Sequence, residues 1–393
     1  MVLEKQRLNP FKIFRLGFII LFFFSGCLSI VITQIIVKIL FCFNPLQQQR
    51  LLNFTKRNFI ILLTFVTSLV SPTKIIITHD ESIPNGTFTH HRTFTGNDIV
   101  RAALSPQAIV VANHQIYTDW LFMWWFAFIS DVSDNVYIIM KKSLSKIPVL
   151  GYGMTNYRFI FLSRKWEDDK SIMIRQLKEI TYFYGNKSAK AFDDLKKHWL
   201  IIFPEGTNMS DNRRKISNEY IQKNGLEPLN HVLSPRAKGL YVSVEKLSPT
   251  TKYIYDLTIA YSGHTPDEYA QDIYTLSQIF IHGKGPHSVN IHIRALDLHQ
   301  IGGVNFDPEI VNSSNEIQES NLVPFQNWLY KVWCEKDALL DQFFSTKSFG
   351  AQYESIETEL KLFSKWELLS IFTPTWLLLL GFYFVVKLLI MVF

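Results

Sequence analysis

Ala108-Ile-Val-Val-Ala-Asn-His-Gln-Ile-Tyr-Thr-Asp-Trp-Leu-Phe-Met-Trp-Trp-Phe-Ala-Phe128 changes pattern abruptly in its middle. Ala108 to Ala112 is an apolar, β-like run, and Trp120 to Phe128 is an aromatic, helix-like run. Between them, Asn113 to Asp119 puts a histidine on a strand-to-helix turn with a carboxylate a few residues on. An imidazole takes a proton near neutral pH, and a carboxylate holds its other nitrogen in the right tautomer. His114 and Asp119 are therefore a candidate general base and its orienting group.

Five-residue spacing alone says little, because His292 and Asp297 repeat it. That pair lies in the strand pattern Val289–Leu298. An odd offset there sends side chains to opposite sheet faces, roughly 16 Å apart at about 3.3 Å per residue. On one regular helix, five residues rotate by roughly 140°, at about 3.6 residues per turn. His114 and Asp119 therefore meet only if the histidine lies in the turn and the aspartate opens the helix. Thr118 is a candidate N-cap, and a carboxylate is welcome in a first helical turn. Taken alone, a capping aspartate beside a structural histidine is the commoner arrangement.

A second stretch changes that balance. Trp199-Leu-Ile-Ile-Phe203 reads as a buried strand and runs into Pro204-Glu-Gly-Thr-Asn208. Together with Phe159-Ile-Phe-Leu-Ser-Arg164, three blocks stand in order: Asn113–Asp119, Phe159–Arg164 and Phe203–Thr207. This order resembles the first three motifs of the glycerolipid acyltransferases, the PlsC-like membrane enzymes that acylate lysophosphatidate and other lysophospholipids from acyl-CoA. The resemblance runs from about Ala108 to Tyr261. It is strongest to the eukaryotic branch that handles lysophosphatidate, lysophosphatidylinositol and lysocardiolipin. Lys141-Lys-Ser-Leu-Ser-Lys-Ile-Pro-Val-Leu-Gly151 and Arg164-Lys-Trp-Glu-Asp168 are similar to that branch as well. Any one motif is a weak signal; three in order are specific.

The resemblance implies a PlsC-like mixed sheet with flanking helices, acyl-CoA as co-substrate and no cofactor. It assigns phosphate recognition to Arg164 and acceptor binding to Glu205, Gly206 and Thr207. The family's fourth motif often bears a proline. Here only Asp256-Leu-Thr-Ile-Ala-Tyr261 stands in its place, without one, which leaves acceptor and chain-length preference open.

The residues suit that chemistry. Acyl transfer from a thioester to a glycerol hydroxyl needs a base to take the hydroxyl proton during attack. His114 is the expected base. Asp119 orients it and stabilises the imidazolium, as in a Ser-His-Asp triad whose nucleophile belongs to the substrate. No Gly-x-Ser-x-Gly elbow occurs, so direct transfer without an acyl-enzyme is expected. The Arg164 guanidinium suits two-point contact with phosphate; a surface salt bridge to Glu167 or Asp168 is its competing role. Gly206 permits close backbone approach at a strand end, where exposed amides bind phosphate or a developing oxyanion. Glu205 suits a glycerol hydroxyl, or the orientation of Arg164, better than it suits phosphate. A plain strand-ending turn is the bland alternative for this motif. Lys141 and Lys142, with Lys146, suit CoA or lipid phosphate, set against ordinary solvated lysines. Trp120, Trp124, Trp125 and Phe128 read either as an acyl-binding or interfacial surface or as core packing.

The chain has 393 residues, 48% hydrophobic and 15% aromatic, enough for one substantial core plus membrane segments. A net charge of +6 and a pI near 9.0 suit anionic lipid or CoA, although so small an excess is common on ordinary surfaces. No dense basic run interleaved with aromatics points to nucleic acid. Three cysteines, Cys27, Cys42 and Cys334, make neither a metal-ligand spacing nor a disulfide framework. A reducing compartment is expected for the catalytic part. Sequons at Asn53, Asn85, Asn186, Asn208 and Asn312 are cheap matches.

In order along the chain, residues 1–73 read as an N-terminal membrane anchor. Phe14 to Phe43 is nearly continuously apolar and long enough to span a bilayer. Phe59–Val70 is a second run of about 12 residues, which reads as re-entrant, interfacial or a core helix. Basic residues flank the first span on both sides, with Lys5, Arg7 and Lys12 before it and Arg50, Lys56 and Arg57 after, so they do not orient it. A cytosolic catalytic body in an endomembrane, the endoplasmic reticulum first, is expected from a cytosolic acyl-CoA donor. Residues 74–301 alternate strand and helix patterns, as in a layered α/β domain. Ser82–Asn97 reads as a hairpin or loop, and Ala189–His198 as a helix. Residues 302–366 read as a linker and amphipathic helices, with Pro324–Leu340 and Glu354–Lys365 both helical. Residues 367–393 read as a C-terminal membrane segment that Pro374 either leaves whole or breaks. The favoured function is lysophospholipid acylation, with lysophosphatidylinositol ahead of lysophosphatidate and lysocardiolipin. A CoA-independent transacylase and a catalytically silent membrane scaffold are the alternatives.

Overall fold

The computed structural model describes residues 10–93, 96, 98–163, 165–184, 197–306, 311, 317–350 and 352–392. Lys5, Arg7, Arg164, the sequons at Asn186 and Asn312, and most of the expected 189–198 helix lie outside them. Two helices come first, Pro10–Leu40 (α1) and Pro45–Val70 (α2). The strands are Lys74–His79 (β1), Phe88–Arg92 (β2), Asp98–Ala102 (β3), Gln107–Ala112 (β4), Val136–Lys141 (β5), Ile160–Leu162 (β6), His198–Ile202 (β7), Tyr253–Tyr261 (β8), Ser288–Asp297 (β9) and Glu354–Glu359 (β10). Among them run Asp119–Ile129 (α3), Leu150–Asn156 (α4), Trp166–Tyr184 (α5), Asp211–Lys223 (α6) and Ala237–Leu247 (α7).

An eight-stranded sheet has the order β10-β1-β9-β8-β4-β7-β5-β6, and β2 and β3 pair apart from it. β4 is parallel to both β7 and β8, and β5 is parallel to both β7 and β6. β9 runs antiparallel to β8, β1 parallel to β9, and β10 antiparallel to β1. The mixed sheet expected from the sequence is therefore present. It brings the C-terminal ends of β8, β4, β7, β5 and β6 to one edge, the edge that collects functional residues in open α/β sheets.

β4 is apolar on both faces because both are covered. Ala108, Val110 and Ala112 point into one core, with Leu121 to Ile129 of α3 and Phe59 to Val66 of α2. Ile109 and Val111 point into the other, with Met173 and Leu177 of α5 and Leu240 and Val244 of α7. A strand covered on both sides reads as a continuous apolar run rather than an alternating one. Trp124, Trp125 and Phe128 are fully buried, so of their two readings core packing is the one observed.

α1 and the C-terminal helix Leu369–Val392 are each long and apolar enough to cross a membrane. They pack together: Ser29 Oγ donates to the Ile371 carbonyl at 2.7 Å, and the Phe22 and Phe372 rings lie 5.6 Å apart. α2 is different. Its Phe59–Leu63 stretch is buried against the sheet domain, and Lys56 Nζ donates to the Val136 carbonyl at 3.0 Å. Of the three readings of this second apolar run, the core helix is the one observed. Pro374 does not break the last helix. A proline leaves the carbonyl four residues back without its donor. Here the Asn58 side chain supplies one, donating to the Ser370 carbonyl at 2.9 Å.

Two expectations need correction or sharpening. Within the stretch read as a hairpin or loop, Phe88–Arg92 is β2 and pairs antiparallel with β3. Glu354–Lys365, expected as a helix, instead begins with edge strand β10. Its alternation lets Ile356 and Thr358 lean on the sheet while Ser355, Glu357 and Glu359 face out, and pairing with β1 overrides helix propensity. The helix Leu322–Thr346, close to the expected Pro324–Leu340, buries Phe325, Leu329, Trp333 and Leu340 in the second core. The span read as a linker with helices thus adds a strand and a helix to the sheet domain.

Candidate active site

β4 stops at Ala112, but its hydrogen bonding does not. The Asn113 side chain donates to the Ile259 carbonyl at 2.9 Å and accepts from the Ile259 amide at 2.8 Å. This amide ladder pins the start of the turn to β8. His114 then lies in the turn and Asp119 opens α3, the one arrangement in which they can meet. His114 Nδ1 is 2.8 Å from Asp119 Oδ2.

Asp119 is fully buried and its carboxylate is fully engaged. Oδ2 also accepts the Gln115 amide at 2.6 Å and the Ile116 amide at 3.0 Å, and Oδ1 accepts the Tyr261 hydroxyl. The carboxylate thereby folds the turn around itself. Thr118, the expected N-cap, makes no capping bond, and its hydroxyl is buried without a partner among the described residues. An acceptor of Nδ1–H leaves Nε2 with its lone pair, the form a base needs. Nε2 has no hydrogen-bond partner among the described residues, and the His114 side chain is 17% exposed.

The parallel register Val111↔Ile202 brings the end of β7 beside that turn. Phe203 stacks on the His114 ring, with centroids 4.3 Å apart. The Met209 amide donates to the His114 carbonyl at 3.0 Å, tying the far side of the Pro204–Asn208 turn to the same residue. Gly206 closes that turn at φ 71°, in the left-handed region that glycine adopts freely, and it is exposed. Thr207 beside it is half-buried.

Glu205 is different: it is 2% exposed and turns inward. Neither carboxylate oxygen completes a hydrogen bond among the described residues. Burial pushes its carboxyl well above the ordinary range; nearby amides of Leu233 and His114, the Trp333 indole and the Lys336 charge act the other way. The motif thus divides, with Gly206 and Thr207 open to a ligand and Glu205 beneath them. Lys141, the last residue of β5, and Lys142 after it are both exposed at the same sheet edge. Arg164 itself is not described, but Leu162, two residues before it, ends β6 beside Lys141.

Several neighbours of the site were not singled out from sequence. Tyr261 is separated from Asp119 by most of the domain and carries no local signal. Asp256, which opens the strand segment read in place of a fourth motif, is buried with Lys336 Nζ at 2.7 Å and Arg294 Nε at 2.9 Å. Burial opposes its ionisation, but the two cations outweigh that and hold its carboxyl below the usual range. The equally spaced His292 and Asp297 do not meet. His292 Nδ1 lies 3.0 Å from Thr78 Oγ1, and Asp297 caps the next turn through the His299 amide.

The fold and this edge match a known family. The Acyltransferase family profile matches residues 76–262, from β1 to just past β8. The 2-acyl-1-lysophosphatidylinositol acyltransferase of Saccharomyces cerevisiae is 39% identical over 362 residues, 86% of each chain. Lysophosphatidylinositol acyltransferase 10 of Caenorhabditis elegans is 31% identical over 243 residues, 61% of this chain and 53% of that protein. Lysocardiolipin acyltransferase 1 of Gallus gallus is 30% identical over 253 residues, 64% of this chain and 57% of that protein. This chain belongs to the acyltransferase family. It is an enzyme of acyl transfer.

Proposed function

We propose that this protein is an acyl-CoA-dependent lysophospholipid acyltransferase, with lysophosphatidylinositol the favoured acceptor. The observation that carries the reading is the 2.8 Å contact between His114 Nδ1 and Asp119, with Nε2 at the end of β4 and without a partner among the described residues. The acyl-transfer family, and relatives named for lysophosphatidylinositol acylation, support the substrate class.

In this reading His114 Nε2 takes the proton of the acceptor hydroxyl as its oxygen attacks the thioester carbonyl. Asp119 stabilises the imidazolium that forms. Collapse of the tetrahedral intermediate breaks the carbon–sulfur bond. The thiolate of CoA leaves and takes the proton from His114, which returns the imidazole to its neutral form. Gly206 and Thr207 bind the acceptor, Arg164 its phosphate, and Lys141 and Lys142 a CoA or lipid phosphate. Glu205 acts from beneath. The two apolar helices support a membrane protein, for which we propose an endoplasmic reticulum location with the site facing the cytosol.

The test is purified full-length protein in phospholipid vesicles, given labelled acyl-CoA and a panel of lysolipids, with thiol release followed by a chromogenic reagent. Thiol released in equal amount to acylated product, greatest with lysophosphatidylinositol, is the expected result. Acylated product without thiol would replace this reading by a transacylase. A covalent acyl adduct trapped on a side chain would replace direct transfer.

A further inference from the structure

Both walls of the site are tied to a helix outside the family-matched residues. Leu322–Thr346 packs beneath the sheet, and its Trp333–Asp337 turn reaches the site at two places. Asp337 Oδ1 accepts the amides of Asn230 at 3.0 Å, His231 at 2.6 Å and Val232 at 3.2 Å, and Oδ2 accepts Asn230 again at 2.9 Å. Three consecutive amides converging on one carboxylate make a nest and fix the loop that carries them. The His231 carbonyl of that loop accepts Gln115 Nε2 at 2.9 Å. The Gln115 amide in turn donates to Asp119 Oδ2, the oxygen that holds His114. One residue away, Lys336 Nζ donates to the Leu257 carbonyl at 2.8 Å and to Thr258 Oγ1 at 3.1 Å on β8, the strand that ends in Tyr261.

We infer that Asp337 is a positioning residue for acyl transfer: through the Asn230–Val232 loop and Gln115 it fixes the turn that presents Asp119 to His114. The inference rests on the reading of His114 as the base. Every link is a hydrogen bond, so the chain transmits position rather than charge. A displacement of about 1 Å at a reacting group costs about 10² in rate. Asp337→Asn keeps the side-chain volume and one acceptor oxygen while thinning the nest. Gln115→Met keeps the length and removes the donor to His231.

The experiment measures kcat and KM for Asp337→Asn, Gln115→Met, their double variant and His114→Ala. It uses full-length protein in vesicles with radiolabelled acyl-CoA and lysophosphatidylinositol, with thermal unfolding recorded beside it. The expected result is a kcat lower by about 10- to 100-fold in each of the first two, with KM little changed. The double variant should be no worse than the worse single one, because both lie on one path. Should Asp337→Asn fail to fold, Gln115→Met, which leaves the helix untouched, must still show the kcat loss. Losses that track only the folded fraction, or that multiply in the double variant, would overturn the inference. Wild-type kcat in both single variants beside an inactive His114→Ala would sink it and spare the base. An active His114→Ala would remove the base and, with it, anything to position.

Discussion

Asp119 and Tyr261 stand 142 residues apart in the chain, and the phenol of one donates to the carboxylate of the other. The bond leaves Asp119 no freedom to turn. One oxygen takes two amides and the imidazole, and the other takes the phenol. Burial, and then the adjacent Asp119 charge, hold the Tyr261 hydroxyl well above its ordinary pKa, so it remains a donor across the physiological range. His114 therefore faces an acceptor set in place from both ends of the domain.

Removing that acceptor's charge should cost rate, not binding. Asp119→Asn should lower kcat by about 10² to 10⁴, the usual contribution of an oriented base. Tyr261→Phe removes one donor and should cost about tenfold, near the net worth of a hydrogen bond to a charged group. Steady-state kinetics on both variants checks this; an Asp119→Asn enzyme with wild-type kcat contradicts it.

His114→Ala should lose about 10² to 10⁴ in kcat while remaining folded. The ring is partly exposed, and its stacking on Phe203 accounts for about 0.5–1.5 kcal/mol of stability. A small drop in unfolding temperature with a large drop in rate is the expected pair of readings.

Glu205 makes stability fall as pH rises. Its folded carboxyl is raised by burial, so the folded state holds a proton that the unfolded chain releases. The favourable contribution is complete below the ordinary carboxylate pKa and is lost as pH rises through the folded value. Glu205→Gln, which needs no proton, should gain unfolding temperature over wild type at pH 8 and not at pH 4. Equal differences at the two pH values would refute the argument.

His292 works in the opposite direction. Burial first, with Arg294 and Lys336 adding to it, lowers its pKa from 6.5 to about 4. The folded state keeps the ring neutral, so stability is present above pH 6.5 and lost as pH falls toward 4. The full effect is on the order of 3 kcal/mol. Thermal unfolding between pH 7 and pH 4 should fall more steeply for wild type than for His292→Asn.

Much of the site was legible in short windows. A buried strand run, a turn and an aromatic helix lie within the span of residues 108–128, so local physics alone placed His114 and Asp119 at a strand end. The Pro204–Asn208 turn was legible for the same reason. Less was legible where a residue's meaning depends on its cover. Phe59–Val70 had the same apolarity as a membrane segment, but α2 turned it against the sheet. Glu354–Glu359 had the composition of a helix, yet an unfilled sheet edge made it a strand. Glu205 read as a ligand-facing group, and only its burial showed that it lies beneath the turn.

The amino-acid order by itself determined where the histidine and its carboxylate would lie, what ends the strands beside them, and which chain segments are apolar enough for a bilayer. Those features depend on neighbours a few residues away, whose backbone preferences and periodicity are written locally. Only the tertiary structure decided that Tyr261 closes the carboxylate, that Asn113 locks the turn to β8, and that Asp337 reaches the loop behind Gln115. Such pairings arise when distant surfaces are buried together, and an apolar or acidic residue carries no mark of which distant partner it will meet.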